Sequence, residues 1–217
     1  MARTFPSSVA GKKAVLPSSV GGDGPRRRIL EVALQLFANR GFHGASTRDL
    51  ARALELQPSA LYAHFASKEL VLAELVRIGH EFHLEKIRGA LLGAGADPAD
   101  QMGALVRAHA RMHATFPHLT IVVNEEMFAL PAELAAPGVA LRGQSTSLIL
   151  EVVQRGVAMG RFSASHPMTA AAAIGAIGLR IPYWYEPAPD LDIERLADLQ
   201  ADLALRMLGV TPDGDKR

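Results

Sequence analysis

The chain has 217 residues, of which 49% are hydrophobic, a formal net charge of +1 and no cysteine. Such a composition builds a core in one or two domains and excludes wholesale disorder, while the missing thiols exclude a disulfide framework and any Cys-based zinc site. The richest apolar run, 168–181, is broken by Arg180 and closed by Pro182, and the first two dozen residues lack the apolar core of a secretory signal, so a cytoplasmic protein without a transmembrane helix is expected.

Residues 1–24, rich in Ser, Gly, Pro and Val with Arg3, Lys12 and Lys13, show no helical or strand period and are expected to form a disordered arm. Arg26, Arg27 and Arg28 follow at the entry to the first helix, placed to reach a phosphate or a neighbouring minor groove. Ile29, Ala33, Leu36 and Phe37 recur at the spacing that gives a helix one apolar face, and Asn39-Arg40-Gly41 supplies its stop. Ser46-Thr47-Arg48-Asp49 reads as a capping box, with the Ser46 hydroxyl accepting a backbone N–H and Asp49 reaching back. In the second helix Leu50 and Leu54 carry the buried side, and Arg48 and Arg52 share the wet one.

Glu55-Leu56-Gln57 is long enough only for a tight turn, and Pro58 fits the first turn of a third helix, where no N–H is missed. There Leu61 and Phe65 are spaced for burial. Gln57, Ser59, Ala60, Tyr62 and His64 are left for the outside and the N-terminal end, where a recognition helix meets base edges. Ser67 caps a fourth helix that starts at Lys68; a cation there opposes the helix dipole, which makes sense beside a phosphate.

Taken as a set, the runs Ser46-Thr47-Arg48-Asp49-Leu50-Ala51, Leu61-Tyr62-Ala63-His64-Phe65 and Ser67-Lys68-Glu69 resemble the DNA-binding domain of the tetracycline-repressor (TetR) family of bacterial transcription regulators. The resemblance implies an all-α protein with an N-terminal three-helix helix-turn-helix domain and a helical ligand-binding and dimerisation domain. It implies that Thr47, Tyr62, His64 and Lys68 touch phosphates and that Gln57, Pro58, Ser59 and Ala60 lie where bases are read. Arg48, on the wet side of the second helix, is counted with the DNA contacts. The family usually has Gly where this chain has Glu55, so the turn must avoid positive φ or tolerate strain there. Ser59 and Ala60 offer little hydrogen bonding, which shifts specificity towards Gln57, thymine-methyl contact and DNA shape. Charge agrees: residues 1–68 carry +6 and the remainder −5, a basic head on an acidic body.

Beyond Lys68 no segment alternates as a strand does, so helices are expected throughout. A long one runs to about Leu92 and is broken by residues 93–98, where Asp97 and Pro98 open the next, which reaches Phe116-Pro117. A shorter helix over 118–130 is expected to stop at Pro131, before a small-residue stretch ending near Gly138. A further helix reaches the turn at 156–162, whose Gly-x-Phe ending also resembles TetR-family bodies. The last two helices are expected at about 168–185 and 190–208. Small residues smooth the first (Ala170 to Ala173, Gly175, Ala176, Gly178), and Ile193, Leu196, Leu203 and Met207 stripe the second, a pair suited to a four-helix homodimer interface. The expected organisation is thus an arm over 1–24, a DNA-binding domain over 25–68, an effector-binding and dimerisation domain over 69–210 and a disordered tail over 211–217.

Catalytic signals are weak. Glu125 and Glu126 are adjacent on a helix and point about 100° apart, and Gly143-Gln144-Ser145-Thr146-Ser147 lacks the closing glycine of a nucleophile elbow. His109 and His113 are four apart, a possible metal pair with His80, His83 and His118 elsewhere in the body, but no Glu follows His109 in the zincin manner. Polar pocket lining or surface histidines are the preferred readings, and no enzyme activity, cofactor or metal is expected. The expected effector contacts are Met102, His109, His113, Phe116, Val123, Asn124, Met127, Phe128, Arg155 and Trp184, apolar groups with sparse polar ones. Residues 181–187 also resemble the Trp-Tyr-x-Pro ending of actinobacterial regulators that respond to acyl-CoA esters, with Arg111, Arg155 and Arg180 as partners for CoA phosphates. The expected partners are therefore a double-stranded DNA operator, a hydrophobic or acyl-CoA-like effector and a second copy of the chain. The expected function is a repressor released from a palindromic operator, the alternative being a small helical metal-binding protein or enzyme with an incidental helix-turn-helix.

Overall fold

The computed structural model describes residues 9, 11–19, 22 and 24–210; the rest of the expected arm and the whole expected tail, 211–217, lie outside the described residues. The α-helices are α1 (Pro25–Arg40), α2 (Thr47–Ala53), α3 (Pro58–Tyr62), α4 (Lys68–Gly93), α5 (Pro98–Thr115), α6 (Pro117–Glu125), α7 (Ala132–Ala158), α8 (Pro167–Leu179) and α9 (Ile193–Met207). Short 3-10 turns occupy Glu126–Ala129 and Ile181–Tyr183. The chain divides into two compact units, one of Met1–Phe82, Phe116–Leu141 and Pro182–Trp184, the other of His83–Thr115, Arg142–Ile181 and Tyr185–Arg217.

In the first unit α1 buries Ile29, Leu30, Ala33, Leu34, Phe37 and Ala38, which takes in three of the four residues the spacing suggests and leaves Leu36 half-buried. Gly41, at φ 72°, ends it by donating its N–H to the Phe37 carbonyl at 2.9 Å. The next residue, Phe42, donates its N–H to the buried Glu126 carboxylate at 2.9 Å, which ties the loop before α2 to the turn after α6. The described part of the arm is packed rather than loose. Val9, Ala14 and Leu16 are buried, Ala14 N–H donates to Gln35 Oε1 at 2.6 Å, and Arg27 donates to the Leu16 carbonyl at 2.7 Å. Three apolar residues without a period gave no sign of this, because a segment that lies across other helices needs none.

Residues 131–138 are also not a break. The Pro131 carbonyl accepts from Leu134 and Ala135, and α7 runs from Ala132 through Pro137. Pro137 removes one internal hydrogen bond, a cost of roughly 3 kcal/mol. The helix persists because alanines favour it and because Gly138 allows close packing: a Cβ there would stand 2.3 Å from Val76 Cγ1. The expected helix over 118–130 is two pieces, α6 and the 3-10 turn.

In the second unit Asp97 caps α5 through the Ala99 N–H at 2.7 Å, and α5 packs along α9. Ala110 of α5, Ile181, Tyr185, and Leu196 and Ala197 of α9 form one buried cluster. Asp192 caps α9 by accepting from Arg195 N–H at 2.7 Å. The stripe expected on α9 is split: Leu196 is in this cluster, whereas Leu203 and Met207 are 48% and 45% exposed. α8 stops at Leu179, earlier than expected, since Pro182 cannot continue it.

Candidate nucleic-acid interface and buried histidine cluster

The helix-turn-helix is built from local chemistry. Ser46 Oγ accepts from Asp49 N–H at 3.1 Å and Asp49 Oδ2 from Ser46 N–H at 2.9 Å, closing the expected capping box. The Ser46 hydroxyl, which also donates to Asp49 Oδ2, then the Ser46 N–H, then the charges of Arg40 and Arg52, hold the Asp49 carboxyl below its ordinary range. α2 ends in a reciprocal cap in which Glu55 N–H reaches the Arg52 carbonyl at 3.1 Å and Leu56 N–H the Ala51 carbonyl at 2.9 Å. Glu55 takes the left-handed conformation, φ 57°, that such a cap needs, alone among the described non-glycine residues. The turn therefore tolerates the strain. Leu50, Leu54, Leu61 and Phe65 are buried as their spacing requires.

That packing turns Gln57, Pro58, Ser59, Tyr62 and His64 outwards with Arg48, while Thr47 and Ala60 are half-buried. Tyr62 is 51% exposed, high for its type. Three expected phosphate contacts are directed elsewhere. Lys68 Nζ donates to the Phe42 and Ala45 carbonyls, both at 2.8 Å, and sits 4.0 Å from the Phe42 ring centroid. Burial lowers its pKa, and its charge serves the loop entering α2. Arg26 lies over the Phe65 ring at 4.2 Å and reaches the His64 carbonyl and Glu74. Arg27 pairs with Glu31 at 3.1 Å besides holding the arm. Arg28 is exposed. The residue spacing could not show that a basic cluster would be consumed by carbonyls, those of the arm ten and eleven residues away among them.

The expected effector residues divide between the units. In the first, Val123 and Met127 are buried beside Gly79 and Gly138, Phe116 meets the Phe82 ring edge-on at 5.6 Å, Asn124 donates to the Thr120 carbonyl at 2.8 Å, and Phe128 and Trp184 are 73% and 50% exposed. The last two are surface residues rather than interior lining. A cleft of about 310 Å³ in this unit, walled by Arg26, Phe65, Glu74, Arg77 and Pro137, touches none of the ten. There the Arg77 guanidinium, and after it Arg26, holds the Glu74 carboxyl below its ordinary range. In the second unit Met102 is fully buried, Arg155 is exposed and bonds Gln101, and Arg111 forms a bidentate pair with Glu194.

His109 and His113 are brought together with His83, all three buried. His83 Nε2 lies 2.7 Å and His113 Nε2 3.1 Å from His109 Nδ1. His109 Nε2 is 3.1 Å from the Gly175 carbonyl and His83 Nδ1 3.2 Å from Ser145 Oγ. Burial pushes the His109 pKa down to about 4, so the ring is neutral at pH 7. A Cβ at Gly178 would stand 2.1 Å from this ring, so the small residues of α8 seat His109 as well as smoothing a surface. His83 was the member that spacing could not pair, since it sits on α4, a whole helix away from the α5 pair. His80 and His118 go elsewhere, to the Val123 carbonyl and to Gln35.

Residues 29–75 match the family described as bacterial regulatory proteins, tetR family, and residues 95–208 match the tetracyclin repressor-like C-terminal domain. The HTH-type transcriptional repressor KstR2 of Rhodococcus jostii (strain RHA1) is 25% identical over 190 residues, 85% of this chain and 91% of the relative. A tetR-family regulatory protein from Rhodococcus RHA1 superposes with a TM-score of 0.79 at 28% identity, over 85% of this chain and 97% of that one. AibR, solved with isovaleryl coenzyme A and operator DNA, shares the fold at a TM-score of 0.74 and 24% identity, over 82% of this chain and 96% of that one.

Proposed function

The chain belongs to the tetR family of bacterial regulatory proteins, with a DNA-binding helix-turn-helix and a ligand-binding C-terminal domain, and on that premise we propose that it is a homodimeric repressor that leaves a palindromic operator when a hydrophobic or acyl-CoA-like effector binds. The observation that carries the DNA half is the outward-turned start of α3, where Gln57, Pro58, Ser59 and Ala60 stand for base contact between Arg48, Thr47, Tyr62 and His64 at the phosphates. Functionally the head is 25–68 and the body 69–210. Lys68 positions the head rather than meeting phosphate. Arg28 is the arginine of its triplet best placed for DNA.

Two features support the effector class. The ending of 181–187 resembles acyl-CoA-responsive regulators, and a protein of this fold was solved with an acyl-CoA and operator DNA together. Arg111 and Arg155 are held by Glu194 and Gln101, so a CoA phosphate would have to displace those partners. Phe116, Val123, Asn124 and Met127, all in the first unit, are the effector contacts we retain. The dimer is proposed through Leu199, Leu203 and Met207, an exposed row one turn apart on α9, with the exposed Met168, Ala172 and Ala176 of α8. The alternative, an enzyme with an incidental helix-turn-helix, is weighed down by the match of both parts of the chain to regulators.

The test is selection of bound duplexes from a random pool, followed by binding to the winner across salt concentrations and against a panel of acyl-CoAs and neutral lipids. A palindrome with half-sites about 34 Å apart, or a multiple, and a steep salt slope is expected. No enriched sequence at low salt would overturn the proposal. Enrichment without release by any member of the panel would remove only the effector class.

A further inference from the structure

We infer that His83, His109 and His113 form a buried site for a divalent transition-metal ion of the zinc type, in addition to the DNA and effector sites. One nitrogen of each ring lies within 4.8 Å of the other two. The Gly175 carbonyl can only accept, so His109 carries its proton on Nε2 and turns the Nδ1 lone pair inwards. That single lone pair can take one N–H, yet two imidazole nitrogens, His83 Nε2 and His113 Nε2, approach it at 2.7 and 3.1 Å. Without an ion one approach sets lone pair against lone pair, or two protons against one acceptor. A cation at the centre resolves the conflict by taking one lone pair from each ring.

Metal–nitrogen bonds of about 2.0–2.1 Å in a tetrahedron separate ligand nitrogens by about 3.3 Å, so His83 and His113, at 2.7 and 3.1 Å, need to part from His109 by only roughly half an ångström or less. The surroundings are those that orient ligands. His109 donates its outer N–H to a backbone carbonyl, His83 has the Ser145 hydroxyl, and Gly178 leaves the room that this orientation of His109 needs. Imidazole ligands without sulfur suit Zn²⁺, Ni²⁺, Co²⁺ or Cu²⁺ rather than Mg²⁺ or Ca²⁺. Three neutral ligands leave a buried double charge, so the fourth position favours an anionic donor such as hydroxide or a carboxylate.

Full-length protein stripped with a chelator and titrated with Zn²⁺ tests the site, with Co²⁺ as the spectroscopic probe. One ion per chain, a thermal midpoint raised by several degrees and the visible bands of tetrahedral Co²⁺ are expected. His83→Asn and His113→Asn should each weaken Zn²⁺ binding on the order of 100-fold, whereas His166→Gln, at the exposed start of α8, should leave it unchanged. Zn²⁺ affinity that survives both asparagine variants would overturn the site, as would a folded, stripped wild type that takes up no ion. Should an asparagine variant fail to fold by circular dichroism, the wild-type stoichiometry and Co²⁺ spectrum decide alone, an octahedral spectrum counting against the site.

Discussion

Glu55 holds a backbone conformation that costs a non-glycine residue about 1–2 kcal/mol, because the cap of α2 needs φ 57° there. Glu55→Gly relieves that strain and returns up to about 1 kcal/mol as unfolded-chain entropy. The expected result is a thermal midpoint unchanged or raised by a few degrees, at about 2–4 °C per kcal/mol for a chain of this size. Glu55→Val, β-branched, should lower it; a drop in both variants would show that the Glu55 side chain, not its backbone, holds the turn. Lys68 and Arg48 separate in the same way. Lys68 Nζ is bound by two carbonyls, so Lys68→Ala should weaken binding to every duplex while leaving the salt slope as it was. Arg48→Ala should weaken binding and lower that slope by about 1, as loss of a phosphate contact does. A reduced slope for Lys68→Ala would return it to the phosphates. Gln57→Ala should instead change which bases are selected.

At the scale of elements, the described arm, residues 9 and 11–19, is held by His118 as well as by Arg27 and Gln35. His118 meets Gln35 at 3.3 Å and hydrogen-bonds the backbone of Val9 and Lys12; burial first, and the Lys12 charge second, lower its pKa below the ordinary 6.5. A depressed folded pKa makes a contribution that is complete above 6.5 and is lost as pH falls through the folded value, because the unfolded chain takes the proton first. Urea unfolding of wild type and His118→Gln should therefore differ most near about pH 7.5 and converge towards about pH 5. A gap that ignores pH would mean that His118 does not titrate on unfolding. How legible such contacts are follows from their range. The capping box, the tight turn, Leu61 with Phe65, and Asp97 with Pro98 were all readable, since each is an interaction within about five residues. The arm on α1, the Glu126 carboxylate on Phe42 and the join of His83 to the α5 pair were not, since they link residues 84 and 26 apart in the latter two cases and leave no spacing behind. Pro137 misled for a different reason: the breaker rule weighs local hydrogen bonding, and the close seat of Gly138 on Val76 outweighs it.

For the whole molecule the question is what couples effector to operator. Leu203 is 48% exposed on the proposed dimer face, so Leu203→Glu should leave the folded chain intact, shift sedimentation to the monomer and abolish tight binding to the full palindrome while sparing weak half-site binding. A dimer that survives the charge would move the interface elsewhere. Coupling itself obeys reciprocity. If the effector prefers the dimer state that does not fit the operator, it lowers operator affinity by some factor, typically 5–150-fold, and operator must lower effector affinity by the same factor. Both factors can be measured on one preparation, by operator titration with and without saturating effector and by effector titration with and without saturating operator. Equal factors above 1 are expected. Effector affinity indifferent to operator would remove the switch from the account however tightly the effector binds, because a ligand of equal affinity for two states shifts neither.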